Sequence, residues 1–211
     1  MKITLAYVFP DLLHATYIPL ARRFVESYME HPPGDADHDI LVCVNYGTER
    51  MLKEYEKLFS PLCCRFMMHN NEGKDIGAFQ AACAVADCDL LMCVGAPIHF
   101  TRAGWMDRIE QAYIENGPAL YGCWGFHQPR DHIRTTAFWL PPQLLASYPH
   151  PVDNSLRYEF EHGVYSITEH ARNLGLERYM VTWKGVYPRD VWQHVDKHES
   201  LFLDQHYDRM P

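Results

Sequence analysis

Residues 70–79 read Asn70-Asn71-Glu72-Gly73-Lys74-Asp75-Ile76-Gly77-Ala78-Phe79, a run of residue types able to hold a polar ligand close to the backbone. Glycine has no Cβ, so Gly73 and Gly77 permit a tight turn and close approach of a ligand. Asp75 falls where a helix should begin, and its carboxylate can accept hydrogen bonds from ribose hydroxyls or cap the helix. On spacing alone, a capped turn explains the segment equally well. Glu159 and Glu161, just before Gly163, are carboxylates of the kind that remove a hydroxyl proton as general base. Two apart on a helix, they face different directions, so only one can enter a site. The alternative is that both are solvated helix charges.

Trp124-Gly125-Phe126-His127 offers rings that can stack on the apolar face of a sugar, with room beside the glycine. The thirteen histidines show no HExxH or comparable ligand spacing, so no metal site is assigned. The seven cysteines, Cys43, Cys63, Cys64, Cys83, Cys88, Cys93 and Cys123, are odd in number and form no CxxC pair. Most sit in apolar stretches, as expected of reduced thiols in a cytoplasmic protein.

The elements that must position these groups alternate in the first half. Apolar runs at 3–9, 39–45, 64–68 and 89–94 read as strands. Amphipathic or alanine-rich stretches at 15–29, 49–59 and 76–86 read as helices, with Thr48 as a cap for the second. That alternation implies a mostly parallel sheet flanked by helices, with ligands bound beyond the carboxyl ends of its strands. The loops 10–14, 45–48, 69–77 and 95–101 then form the site. Further on, helices are expected at 105–115 and 157–174, strands at 119–124, 135–140 and 179–183, and a tail folded back on the domain after Tyr187.

With 211 residues and 47% hydrophobic content, the chain suits one domain with a substantial core, spanning 1–211. A formal net charge of −8 without any Lys/Arg block disfavours nucleic acid as a partner. No apolar run reaches the roughly 20 residues of a membrane span, and no signal peptide opens the sequence.

The Asn-x-x-Gly-x-Asp-Ile-Gly-Ala-Phe pattern at 70–79 resembles the donor-binding loop of glycosyltransferases related to the rhamnan synthesis protein F family. Val44-Asn45-Tyr46-Gly47-Thr48, His132 through Leu140, and Tyr158-Glu159-Phe160-Glu161-His162-Gly163 are similar, more loosely, to later stations of that group. The resemblance implies a GT-A-like, Rossmann-like α/β domain that moves a sugar from a nucleotide-sugar donor to a hydroxyl of a glycan, lipid-linked precursor or other acceptor. Residues 1–100 would be the donor half and 101–211 the acceptor side and tail. It implies donor contacts at Tyr7, Phe9, Asn45, Asn70, Gly73, Lys74, Asp75, Ile76, Gly77, Gly95, Ala96, Pro97 and His99. Trp124, Gly125 and His127 would meet the acceptor, and Glu161, with Glu159 second, would be the catalytic base of an inverting displacement.

One departure matters. The fold usually carries Asp-x-Asp after its fourth strand to hold Mg²⁺ or Mn²⁺, whereas this strand runs into Gly95-Ala96-Pro97-Ile98-His99. Asp87-Cys88-Asp89 precedes the strand, at the opposite edge. Three explanations stay open: metal-independent transfer helped by Arg102, Lys74 or His99; a cation held later, at Asp204 and His206; or a relative that binds without catalysis. A nucleotidyltransferase is a further rival, disfavoured by the absence of a Gly-rich basic loop after the first strand.

Overall fold

A computed structural model describes residues 1–10, 14–150 and 152–204, without the side chains of 14, 15 and 50. Four parallel strands come first: β1 (Ile3–Pro10), β2 (His38–Asn45), β3 (Cys64–His69) and β4 (Leu90–Val94). Between them lie α1 (His14–Glu30), a 3-10 turn (Glu49–Met51) running into α2 (Leu52–Leu58), and α3 (Lys74–Val85). Period-two alternation in β1 divides the interior. Ile3, Leu5, Tyr7 and Phe9 face one layer, with Phe24 of α1 and Tyr55 of α2. Ala6 and Val8 face the other, with Ile76 and Phe79 of α3. Each such large apolar side chain contributes about 1.5–3 kcal/mol by leaving water.

The chain continues through the short β5 (His99–Phe100), α4 (Trp105–Asn116), β6 (Ala119–Gly122), β7 (Gly125–Phe126), β8 (His132–Ile133) and β9 (Ala137–Leu140). It ends with α5 (Pro142–Ala146), α6 (Arg157–His162), α7 (Ile167–Asn173), β10 (Glu177–Val181), β11 (Val186–Pro188), two 3-10 turns and β12 (Phe202–Leu203). The main sheet is ordered β11-β10-β6-β9-β4-β1-β2-β3. It is mixed, because β9 runs antiparallel to both β4 and β6, and β11 antiparallel to β10. Strand β9 therefore brings the segment 134–136 to the carboxyl end of β4, where Gly95 N–H donates to the Thr136 carbonyl at 2.8 Å.

Two local expectations change. Thr48 stands at the N-cap but its side chain makes no capping hydrogen bond, and the turn it opens is 3-10 before it becomes α2. The helix expected over 157–174 is two helices, broken at Gly163, whose backbone is extended. A Cβ there would stand 1.7 Å from Glu159 Oε2, and Ser166 recaps the chain by accepting the Glu169 N–H. Strand β9 stops at Leu140, directly before Pro141-Pro142, and Pro142 opens α5. The described part of the tail, through Asp204, folds back. Trp192, Leu201 and Phe202 are fully or almost fully buried, and β12 pairs antiparallel with β5.

Candidate functional site

A cleft of about 930 Å³ opens at the carboxyl edge of the parallel strands, where this class of sheet binds ligands. Its floor is Val8 and Pro10 of β1, Asn45 of β2 and the Gly95–Ala96–Pro97 turn after β4. The turn is tied down from below: Tyr7 Oη donates to the Ala96 carbonyl at 3.1 Å while its ring stacks on Phe24, centroids 4.0 Å apart. Burial pushes the Tyr7 hydroxyl well above the ordinary phenol range, so it remains a donor.

One wall is the start of α3, with Asn71, Lys74 and Asp75. Asn70 Oδ1 accepts the Glu72 N–H at 3.0 Å, shaping an Asx turn. His69 Nδ1 lies 2.9 Å from Asn45 Oδ1 and accepts the Asn71 N–H at 3.1 Å, joining β2 to this turn. Burial lowers the pKa of His69, keeping it neutral. Gly73 has φ +69°, and a Cβ there would meet the Val152 carbonyl at 2.0 Å. A Cβ at Gly77 would meet the Glu72 carbonyl at 1.8 Å. Both glycines thus serve close backbone packing that aims the positive end of α3 toward the cleft.

The opposite wall is Arg134, Thr135 and Thr136 with Arg157, Tyr158, Glu161 and His162 of α6. Arg157 holds Asp75 through two bonds, Nε to Oδ1 at 2.6 Å and NH2 to Oδ2 at 2.8 Å. This hydrogen bonding raises Arg157 above the ordinary guanidinium range despite its partial burial. Glu161 Oε2 accepts from both Thr135 Oγ1 and Thr135 N–H, the latter at 3.1 Å, while Oε1 lies 3.0 Å from His162 Nε2. Arg134 pairs with the buried Asp204 at 2.9 Å and lies over the Trp124 ring, 5.5 Å from its centroid.

No protein-family model matches the sequence, and no curated protein matches it significantly. Solved structures do align. HddC from Yersinia pseudotuberculosis matches at TM-score 0.51 and 15% identity over 74% of this chain and 84% of that one. The mannosyltransferase PcManGT from Pyrobaculum calidifontis, solved with GDP-Man and Mn²⁺, matches at 0.54 and 11% over 74% of this chain. This chain spans half of the PcManGT chain. A putative glucose-1-phosphate thymidylyltransferase from Bacillus anthracis matches at 0.56 and 9% over 88% of both chains. The fold is GT-A-like.

Within this GT-A-like domain the candidate residues divide. Asn45, Lys74, Asp75, Gly95, Ala96, Pro97 and Glu161 line the cleft. Phe9 does not: it is fully buried against Tyr55 and Phe59, at 5.8 and 5.9 Å. Tyr7 and Ile76 are also fully buried, so neither offers a ring or side chain to a ligand. His99 is buried, with Arg23 NH2 2.7 Å from its Nε2. Arg102 lies over the Trp183 ring at 4.6 Å. Glu159 packs against Gly163 and is absent from the cleft wall, whereas Glu161 enters it.

The expected acceptor platform sits elsewhere. Trp124 is fully buried beneath Arg134, and Gly125 packs so tightly on Trp192 that a Cβ would come within 2.4 Å. His127 is held by Asp131 at 2.7 Å. Sequence reasoning missed Arg134, Thr135, Arg157 and His162; their roles depend on β9 reversing direction and α6 folding over the sheet edge, which no local pattern encodes.

A GT-A-like fold raises the question of a carboxylate-bound cation after β4. The turn there supplies Gly95, Ala96 and Pro97, with no acidic side chain. Asp87 and Asp89 lie at the other rim, against Lys2 before β1. Hard cations such as Mg²⁺ take oxygen ligands, so the residues of this turn do not fit one. Asp204 is committed to Arg134, and His206 lies outside the described residues. Among the described residues, no helix is long and apolar enough to cross a membrane, and all seven cysteines are free thiols.

Proposed function

We infer that the cleft binds a nucleotide sugar and passes its sugar to a hydroxyl acceptor. The observation that carries this reading is the convergence of Asn45, the 71–75 turn, the Gly95–Pro97 turn and Glu161 on one space at the sheet's carboxyl edge. Asn45 and the tops of β1 and β2 suit the base and ribose. Asp75, steadied by Arg157, suits a ribose hydroxyl, and the start of α3 with Lys74 suits the diphosphate. The resemblance of 70–79 to donor loops of the rhamnan synthesis protein F group supports the same division.

The working mechanism is a single displacement with inversion. The acceptor oxygen attacks the anomeric carbon, the bond from that carbon to the diphosphate oxygen breaks, and its electron pair leaves with the nucleoside diphosphate. The acceptor proton passes to Glu161, whose orientation is set by Thr135 and His162. Lys74 and the α3 amides offset the charge on the departing diphosphate. The acceptor is a glycan, a lipid-linked precursor or another hydroxyl compound.

A second reading, nucleotidyl transfer, gains support from the fold match to the thymidylyltransferase across 88% of both chains. Calorimetry with UDP, GDP, CDP and TDP, followed by incubation with the matching sugar nucleotide, tests the first reading. Selective binding of one nucleotide and slow hydrolysis of its sugar donor are expected. Absence of any nucleotide binding overturns it. Release of pyrophosphate from a nucleoside triphosphate and a sugar 1-phosphate moves the assignment to the second.

A further inference from the structure

At the cleft wall and just behind it lies a group of side chains that donor binding does not use. His132, Glu161 and His162 each present one ligand-type atom, and these atoms lie within 4.8 Å of one another. The three come from two elements: His132 from β8, Glu161 and His162 from the end of α6. The imidazoles meet edge to face, with centroids 4.3 Å apart.

The geometry points to a binding site for one first-row divalent transition metal, of the Zn²⁺ or Co²⁺ kind, held by His132, Glu161 and His162. The support around the ligands has the form such sites need. His132 is 4% exposed, and its Nδ1 lies 2.8 Å from the Arg130 carbonyl. Donation of Nδ1–H to that carbonyl fixes the tautomer and leaves the Nε2 lone pair for a ligand bond. Glu161 is oriented in turn by the Thr135 N–H and hydroxyl.

The second observation is independent of these contacts. His162 Nδ1 is buried and has no hydrogen-bond partner. With no acceptor-held or donor-held contact at Nδ1 to fix the tautomer, the ring can carry its lone pair on Nε2, which lies 3.0 Å from Glu161 Oε1. A cation beside the carboxylate would take both atoms as ligands.

The spacing is compatible with this. Metal bonds of about 2.0–2.2 Å place neighbouring ligand atoms roughly 3–4 Å apart, a contraction that small side-chain rotations supply. Two imidazoles and one carboxylate favour Zn²⁺, Co²⁺ or Mn²⁺ over Mg²⁺ or Ca²⁺, which prefer oxygen alone. The nearby cations are offset, Arg134 by Asp204 at 2.9 Å and Arg157 by Asp75 at 2.6 Å. Glu161 and His162 also line the cleft, so remaining coordination positions face solvent or ligand.

The binding claim goes beyond the transfer reading and is tested without any nucleotide sugar. Full-length protein is titrated with Co²⁺ while its visible absorption is followed, and with Zn²⁺ by calorimetry. One equivalent is expected, with Mg²⁺ at equal concentration failing to displace it. His162→Ala and Glu161→Gln, each at the partly exposed side of the site, should each weaken binding at least tenfold. His194→Ala, a histidine outside the cluster, should leave it unchanged. No stoichiometric binding by the native chain, or undiminished affinity in both His162→Ala and Glu161→Gln, overturns the assignment.

Discussion

Asp75 at the start of α3 and Arg157 at the start of α6, 82 residues apart in sequence, are joined by two parallel hydrogen bonds of 2.6 and 2.8 Å across the mouth of the cleft. A two-point carboxylate–guanidinium contact fixes orientation as well as distance. It therefore sets the width of the opening and the attitude of the Asp75 carboxylate.

Removing either partner should disturb ligand binding more than folding. Both side chains are partly solvated, so a double-mutant cycle on unfolding free energy should give a coupling of about 0.5–1 kcal/mol. Nucleotide affinity, by calorimetry, should fall about tenfold or more in Asp75→Ala. Arg157→Lys should fall as well, because an ammonium cannot reproduce the paired contact. Unchanged affinity in Asp75→Ala would remove this residue from the donor site.

Glu161→Gln keeps the shape of the side chain and its acceptor oxygen but cannot take up a proton. Nucleotide binding should stay within about twofold of the native value, whereas sugar transfer should drop by about 10²–10⁴. Glu159→Gln, outside the cleft, serves as the comparison and should retain transfer. A full transfer rate in Glu161→Gln would show that the base lies elsewhere.

Filling the His132–Glu161–His162 site should slow transfer. Glu161 Oε2 is engaged by Thr135, so Oε1 would have to serve both the cation and the acceptor proton. Transfer assays across a Zn²⁺ titration should show activity falling as the calorimetric occupancy rises. A rise instead would mean that Glu161 works as a ligand in the productive state rather than as a free base.

Gly77→Ala asks whether the turn before α3 tolerates a methyl group. The new Cβ would lie 1.8 Å from the Glu72 carbonyl oxygen, so the backbone must move. A loss of about 1–3 kcal/mol in urea unfolding is expected, together with weaker nucleotide binding. Gly175→Ala tests a different cost: it meets no atom within 4 Å but has φ +74°, and should lose only about 1 kcal/mol.

Stability should decline at alkaline pH. Burial pushes the Cys43 thiol up to about 12, and burial with the neighbouring Cys63 pushes Cys64 up to about 11. A free thiol titrates near 8.5, so above that value the unfolded chain releases protons that the folded chain retains. The stabilisation is fully present below about pH 8.5 and is lost as pH rises toward the folded values. Urea midpoints measured from pH 7 to 10.5 in reducing buffer should be flat at first and then fall. Constant midpoints across that range would mean that these thiols are accessible in the native state.

Much of the β1–β4 side of the cleft was legible in the sequence because it is local. The apolar runs of β1, β2 and β4 and the glycines at 73 and 77 announce their conformations within a few residues. The separation of Glu159 from Glu161 by two positions also sufficed to predict that one of them turns away. The other wall was not legible. Arg157 reads as a surface helix charge until α3 and α6 are brought together, and Thr135 reads as strand until β9 is seen to start at Ala137. Trp124 looks like a sugar platform in a Gly-flanked sequence, yet the sheet's own packing buries it. A single helix over 157–174 fails at Gly163, whose extended backbone ends α6 before Ser166 caps α7.

The pairing of β12 with β5 has a consequence for handling the protein. Asp204, at the end of that ribbon, is the buried counter-charge of Arg134. Shortening the chain before Leu201 would therefore do more than trim an appendage: it would uncover Phe100 and Trp105, both packed on Phe202, and leave a guanidinium in the cleft wall without its carboxylate. Expression boundaries drawn inside this ribbon would yield a molecule whose behaviour toward anions no longer reports on the native one.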